Sequence, residues 1–215
     1  MKKLLLSGVA VFLLAGLMSG PATAQFQYDT QVGLYTTPDG LGATGTSVMG
    51  QAVDVSLVLT HPRDPANGYQ PFTQCQGFEL SIQFSPMPLN NLFLLQTTLP
   101  AGSVDIGLNK DINQGYLDFV VGTSSGFPNV VVNDAVQLIH FVFLNVYAGM
   151  TEVTLTPYVE VNSIPGEMAF LGNTSDDLWP MYSKGGSHEA PVFIFNGIAV
   201  PVENESFGSV KALYR

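Results

Sequence analysis

The stretch "QGFELSIQFSP", residues 76–86, decides the fold. Phe78, Leu80, Ile82 and Phe84 alternate with Glu79, Ser81 and Gln83, and a proline closes the run. A strand sends successive side chains to opposite faces, so this spacing predicts one apolar face in a core and one polar face turned away from it. Glu79, Ser81 and Gln83 are therefore expected to lie outward, as a candidate binding surface.

The neighbouring segments repeat the pattern. Val53, Val55, Leu57 and Leu59 alternate ahead of a loop, "HPRDPANGYQP". After residue 86 come "NLFLLQTTL", "SVDIGL", "GYLDFVVG", "AVQLIHFVFLNV", "TEVTLTPYVEV" and "PVFIFNGIAV", separated by clusters of Gly, Pro and Asn. Short period-two runs between turn signals indicate an all-β sandwich or barrel. The expectation is a jelly-roll-like antiparallel β-sandwich of about nine strands, with no helical periodicity after residue 24.

Two of these runs carry more detail. Pro157 interrupts "TEVTLTPYVEV", in which Val153, Leu155, Val159 and Val161 share one side. Proline cannot donate to a ladder, so this strand is expected at an edge or to bulge there. In residues 136–146, Ile139, Phe141 and Phe143 project one way and Leu138, Val142 and Leu144 the other. A sandwich strand normally keeps one face in water, so a terminal segment, a crossing loop or a partner is expected to cover the second apolar face.

The N-terminus has a different character. Lys2 and Lys3 precede a nearly unbroken apolar run over residues 4–18, and Ala22-Thr23-Ala24 follows. This is the pattern of a cleavable secretory signal peptide, too short for a membrane span, with cleavage expected before Gln25. The expected organisation is a signal peptide at 1–24, a sandwich domain at 25–200 and a tail at 201–215, with a secreted or periplasmic location.

Removing 24 of the 215 residues leaves 191, enough to bury a core without disulfides. Lys2 and Lys3 leave with the signal, so seventeen acids face five of the seven bases, a formal −12. That balance excludes nucleic acid as a partner, because phosphates require Lys and Arg. Cys75 is the single cysteine, so no internal disulfide forms.

Catalytic signatures are missing. His61, His140 and His188 fall in no metal-binding spacing, and neither a G-x-S-x-G elbow nor a phosphate-binding glycine loop occurs. Carboxylates such as Asp118 and Glu160 fall on outward strand positions, as any acidic sandwich would arrange by chance. Asp176 and Asp177 could join Asp111 around Ca²⁺, although their spacing matches no calcium loop. The chain reads as non-catalytic, with no cofactor required. Aromatic residues in polar segments supply the remaining candidates: Trp179 and Tyr182 in "GNTSDDLWPMYSKGGSHE", a long polar connection, and Tyr69 and Phe72 in an earlier loop. Such rings can stack on sugars or anchor a protein partner, and Trp179 can equally plug one end of the sandwich.

The order of these segments resembles that of cohesin domains. "QGFELSIQFSP" followed by "MPLNNLFLLQ" is similar to their second strand region. "GYLDFVVGTSSG" resembles the strand after their central loop, and "DAVQLIHFVFLNVYAGMTEVTLTP" the pair that follows. The resemblance spans about residues 50–172 and is one of pattern. It implies a β-sandwich of the cohesin and carbohydrate-binding-module type. Cohesins bind dockerins through one flat sheet face and related modules bind polysaccharide, so either a protein partner or a polysaccharide is implied as ligand.

Overall fold

A computed structural model describes residues 30–46, 49–123, 129–160, 162–174 and 176–196. The expected signal peptide at 1–24 and the expected tail at 201–215 lie outside the described residues. Sixteen strands form within them, five only two residues long. The first half contains β1 Gln31–Tyr35, β2 Gly45–Thr46, β3 Ala52–Thr60, β4 Arg63–Asp64, β5 Gln70–Pro71, β6 Gln74–Cys75, β7 Gly77–Ser85 and β8 Leu92–Thr98. The second half contains β9 Ser103–Asp105, β10 Tyr116–Thr123, β11 Asn129–Val130, β12 Ala135–Asn145, β13 Thr151–Thr156, β14 Met168–Leu171, β15 Leu178–Ser183 and β16 Phe193–Phe195. No α-helix occurs among the described residues, only two single 3₁₀ turns.

Two faces of the sandwich follow from the pairing. One runs β8–β12–β3–β1. The other is built around β7, whose whole length pairs with β10, and β10 in turn with β9. The opposite edge of β7 is shared: β14 takes its first residues and β13 its last. Strand β15 pairs with both β14 and β1 and so joins the two faces on one side. On the other side β8 and β9 end their sheets, each with an edge that pairs with no other strand among the described residues. Two pairings, β1 with β15 and β16 with β2, are parallel. The expected sandwich is present, but it is mixed rather than wholly antiparallel.

The predicted apolar faces supply the core. Phe78, Leu80, Ile82 and Phe84 of β7 are at most 5% exposed, and they face Val55, Leu57 and Leu59 of β3 across the interior. Rings from both sheets interlock. Phe84 and Phe195 pack edge-on to Phe143 with centroids 6.2 and 5.3 Å apart, and Phe119 meets Phe141 at 5.7 Å. Edge-to-face contact suits the ring quadrupole and adds to the benefit of burial.

The doubly apolar strand is resolved by a bulge. The register of β12 on β3 shifts between Gln137 and Ile139, so Leu138 occupies an extra position. Val136 and Leu138 face the core before the bulge, and Ile139, Phe141 and Phe143 after it. A bulge adds one residue to one strand and so reverses the parity of everything beyond it. Leu138, fully buried, needs no external cover. Only Val142 and Leu144 remain on the outer face, half-buried.

Pro157 acts as a stop. Strand β13 ends at Thr156, and Val159 is 55% exposed rather than aligned with buried Val153 and Leu155. Val161 lies outside the described residues. Ahead of β12, Asn133 and Asp134 both have positive φ, 51° and 66°, and Val132 and Ala135 exchange backbone bonds across them. This two-residue hairpin turn suits Asn and Asp, which tolerate the left-handed region.

Candidate functional site

The polar face of β7 is largely covered. Glu79 is 5% exposed, its Oε1 accepting from the Ser163 backbone N–H at 2.5 Å and its Oε2 from the Ser163 hydroxyl at 2.7 Å. Ser81 is fully buried and donates its hydroxyl to Asp118 Oδ1, opposite it on β10. Gln83 alone is exposed, with its amide donating to Thr156 at 3.2 Å. The expectation that Glu79 and Ser81 face solvent is therefore corrected. Alternation gives direction out of the core, but the segments at 105–111, 157–160 and 162–167 pass over this face, and the buried oxygens are satisfied by hydrogen bonds.

The 105–111 segment is held by a compact set of contacts. Asp118 N–H donates to the Asn109 carbonyl at 2.9 Å, and Lys110 Nζ donates to the Asp118 carbonyl. Gly107 stands so close to that carbonyl that a Cβ would collide with it. Lys110 Nζ also lies 2.7 Å from Asp105 Oδ2 and 4.2 Å from the centroid of the Phe119 ring. Asp105 Oδ1 accepts from the N–H groups of Gly107 at 2.9 Å and Val120 at 3.2 Å.

These contacts invert the strand. In "SVDIGL" the acid turns toward the protein, its side chain 11% exposed, while Val104, Ile106 and Leu108 are 65, 68 and 72% exposed. Ile106 N–H still donates to the Val120 carbonyl at 3.0 Å, so the row continues the ladder of β10. Three apolar side chains thus stand in period two, Val104 on β9 and Ile106 and Leu108 just after it, next to an edge of β9 that pairs with no other strand among the described residues, the arrangement that natural sheets usually blunt with charge. Beside the row a cleft of about 400 Å³ enters between the two sheets, lined by Leu94, Leu99, Leu117 and Phe119 with Asp105 and Lys110. Nothing within so short a run marks which parity faces in, and the contacts of Asp105 with Lys110, Gly107 and Val120 lie outside any periodicity.

The aromatic candidates do not assemble into a platform. Trp179 lies within β15, not in a loop, on the same side as buried Met181, and it packs against the core. Its indole N–H has no hydrogen-bond partner among the described residues. Tyr182, three residues on, has the opposite parity and is 40% exposed. Phe72 is 3% exposed and meets Phe170 edge-on at 5.6 Å, so it belongs to the core and not to a surface. Tyr69 is 46% exposed, in the turn before β5.

Reactive groups are dispersed. Cys75 is buried, and burial pushes its thiol up to about 12, against a weaker opposing hydrogen bond with the Gly77 backbone. His140 Nε2 lies 2.9 Å from Asp54 Oδ1, His61 Nε2 3.7 Å from Asp134 Oδ2, and His188 Nδ1 3.2 Å from the Leu155 carbonyl. Asp111 accepts from Asn113 N–H at 3.0 Å and Asp177 from Thr174 N–H at 2.8 Å, each within its own turn. Among the described residues no three His, Cys, Asp or Glu side chains converge as a metal ion would need.

No family model matches the chain, and no curated protein does. Solved structures with a similar fold are cohesin modules. The second type II cohesin module of the adaptor ScaA scaffoldin of Acetivibrio cellulolyticus has 12% identity, covering 80% of this chain and 99% of that one, with a TM-score of 0.48. The type I cohesin–dockerin complex Coh-OlpA–Doc918 of Clostridium thermocellum gives 8% identity, 72% and 94% coverage and a TM-score of 0.47. A non-cellulosomal cohesin of the archaeon Archaeoglobus fulgidus gives 8% identity, 72% and 86% coverage and a TM-score of 0.43.

Proposed function

We propose that this chain is an exported, non-catalytic protein-interaction module that docks a partner polypeptide along β9 and the residues just after it. The exposed row of Val104 on β9 and Ile106 and Leu108 just after it, beside an edge of β9 that no other described strand occupies, is the observation that carries this reading. An extended segment added to such an edge draws affinity from main-chain hydrogen bonds and specificity from alternate side chains. The partner segment is accordingly apolar at every second position. The strong negative balance of the chain favours basic flanks on that segment and disfavours acidic ones. Export rests on the leader-like residues 1–24.

The test uses the chain from Gln25 as bait against proteins exported by its source, in parallel with an Ile106→Asp variant. Residue 106 is exposed, so the substitution leaves the fold intact and puts a charge in the row. A partner retained by the parent and lost by the variant is the expected result. Equal retention by both removes β9 as the site, and retention on insoluble polysaccharide alone would favour a carbohydrate ligand.

A further inference from the structure

The outer face of the other sheet carries a second apolar patch, and the described chain ends beside it. Ala52, Leu144 and Phe93 stand side by side across β3, β12 and β8, as the register pairs Leu144 with both neighbours. Phe93 is 38% exposed and Leu144 half-buried, with half-buried Val142 two residues along. At the end of this row Val146, Tyr147 and Met150 are 44, 37 and 50% exposed. The Asn196 amide donates to the carbonyls of Tyr147 and, at 3.4 Å, Gly149, so the chain leaves its last described residue at the edge of the patch.

Nineteen residues follow Asn196. Fully extended they reach about 60 Å, at up to ~3.6 Å per residue. The patch along β8 needs only roughly 20 Å for seven residues. Ile198, Val200 and Val202 alternate directly after the exit point, before Glu203 turns the sequence polar. A segment tethered at the patch edge acts at an effective concentration of about a millimolar, which a second copy at micromolar concentration does not match. We propose that residues 197–215 fold back over the outer face of β8 and β12, seating Ile198, Val200 and Val202 on the row formed by Ala52, Leu144 and Phe93. The patch is then an internal docking surface, distinct from the partner-binding edge at β9.

Hydrogen exchange read by mass spectrometry tests this on the chain from Gln25 at about 1 μM, well under the tethered value. Amides of residues 198–200 and 202 are expected to exchange at least tenfold more slowly than in a free peptide of the same sequence. That protection is expected to vanish in Leu144→Asp and in Phe93→Asp, with β7 amides as slow as in the parent. Phe93 is exposed, so its variant remains informative if Leu144→Asp fails to fold. Free-peptide exchange in the parent overturns the proposal, as does protection that survives both substitutions. Protection that disappears on dilution, together with a dimer mass, assigns the patch to a second copy instead.

Discussion

Ser81 and Asp118 face each other across the two central strands of one sheet, joined by a hydroxyl-to-carboxylate hydrogen bond, and neither side chain reaches solvent. Removing the hydroxyl leaves a buried carboxylate short of a donor. Losing a hydrogen bond to a charged group in a buried site costs about 1–3 kcal/mol. Ser81→Ala is therefore expected to lower the unfolding free energy by that amount, read as a lower urea midpoint at unchanged m-value. Gln83→Lys, two residues along but exposed, is expected to stay within about 0.5 kcal/mol. Equal effects at the two positions would mean that the face is not covered as described.

The bulge in β12 makes a second contrast. Leu138→Ala removes a fully buried side chain and is expected to cost about 2–5 kcal/mol, while Val142→Ala, on the outer half-buried face, costs about 1 kcal/mol or less. Simple alternation through residues 136–146 places Leu138 and Val142 together and predicts similar losses. Denaturant titration of the two variants distinguishes these outcomes.

What was legible in the sequence follows from how far each signal extends. The long runs of β3, β7, β10 and β12 declare their period over eight or more residues, so their strands and core residues are readable directly. The bulge at Leu138 is a one-residue event that apolar residues on both sides conceal. The covering of Glu79 and Ser81 depends on Ser163 and Asp118, 84 and 37 residues away. Strands β14 and β15 are short or contain proline, and their pairing partners are distant, so "LWPMYS" reads as loop. The outward row at Val104, Ile106 and Leu108 accompanies an ion pair that no periodicity encodes.

Cys75 gives a pH-dependent prediction. Its thiol titrates near 9.0 when exposed and at about 12 in the fold, because burial disfavours the thiolate. Below pH 9 both states keep the proton and the contribution is complete. Above pH 9 the unfolded state releases it first, so stability falls as pH rises, by up to about 1.4 kcal/mol per unit until pH 12. Buried Tyr35, also raised to about 12, adds a loss of the same sign above pH 10. Urea midpoints between pH 8 and 10.5 should fall less steeply for Cys75→Ala than for the parent, and iodoacetamide should label the folded thiol only through unfolding.

Arg63 and Asp134 form a two-pronged pair, with Nη1–Oδ1 and Nη2–Oδ2 both at 2.5 Å. The pair ties β4 to the hairpin turn before β12. A planar guanidinium matches a carboxylate in a way that an ammonium cannot, so Arg63→Lys is not conservative here. A double-mutant cycle with Asp134→Asn is expected to give a coupling of about 1 kcal/mol, modest because the Asp134 side chain is one-third exposed. A coupling near zero would show that the turn is held by its backbone bonds alone.

Lys110 connects the fold to the proposed binding edge. Its ammonium holds Asp105 inward, and with Asp105 inward the chain's alternation sends Val104 and Ile106 out. Lys110→Met keeps the apolar stem over Phe119 but removes the charge. The side chain is 44% exposed, so the global loss is expected to be small, about 1 kcal/mol or less. The local consequence is larger, because Asp105 then regains water more easily than it stays turned in. Exchange of the Ile106 amide, now bonded to the Val120 carbonyl, should accelerate several-fold while β7 amides hold their protection. Partner retention should weaken without being abolished, unlike the loss expected for Ile106→Asp. An unchanged Ile106 amide would show that β10 alone fixes the row, and that the ion pair is a consequence of the inverted strand rather than its cause.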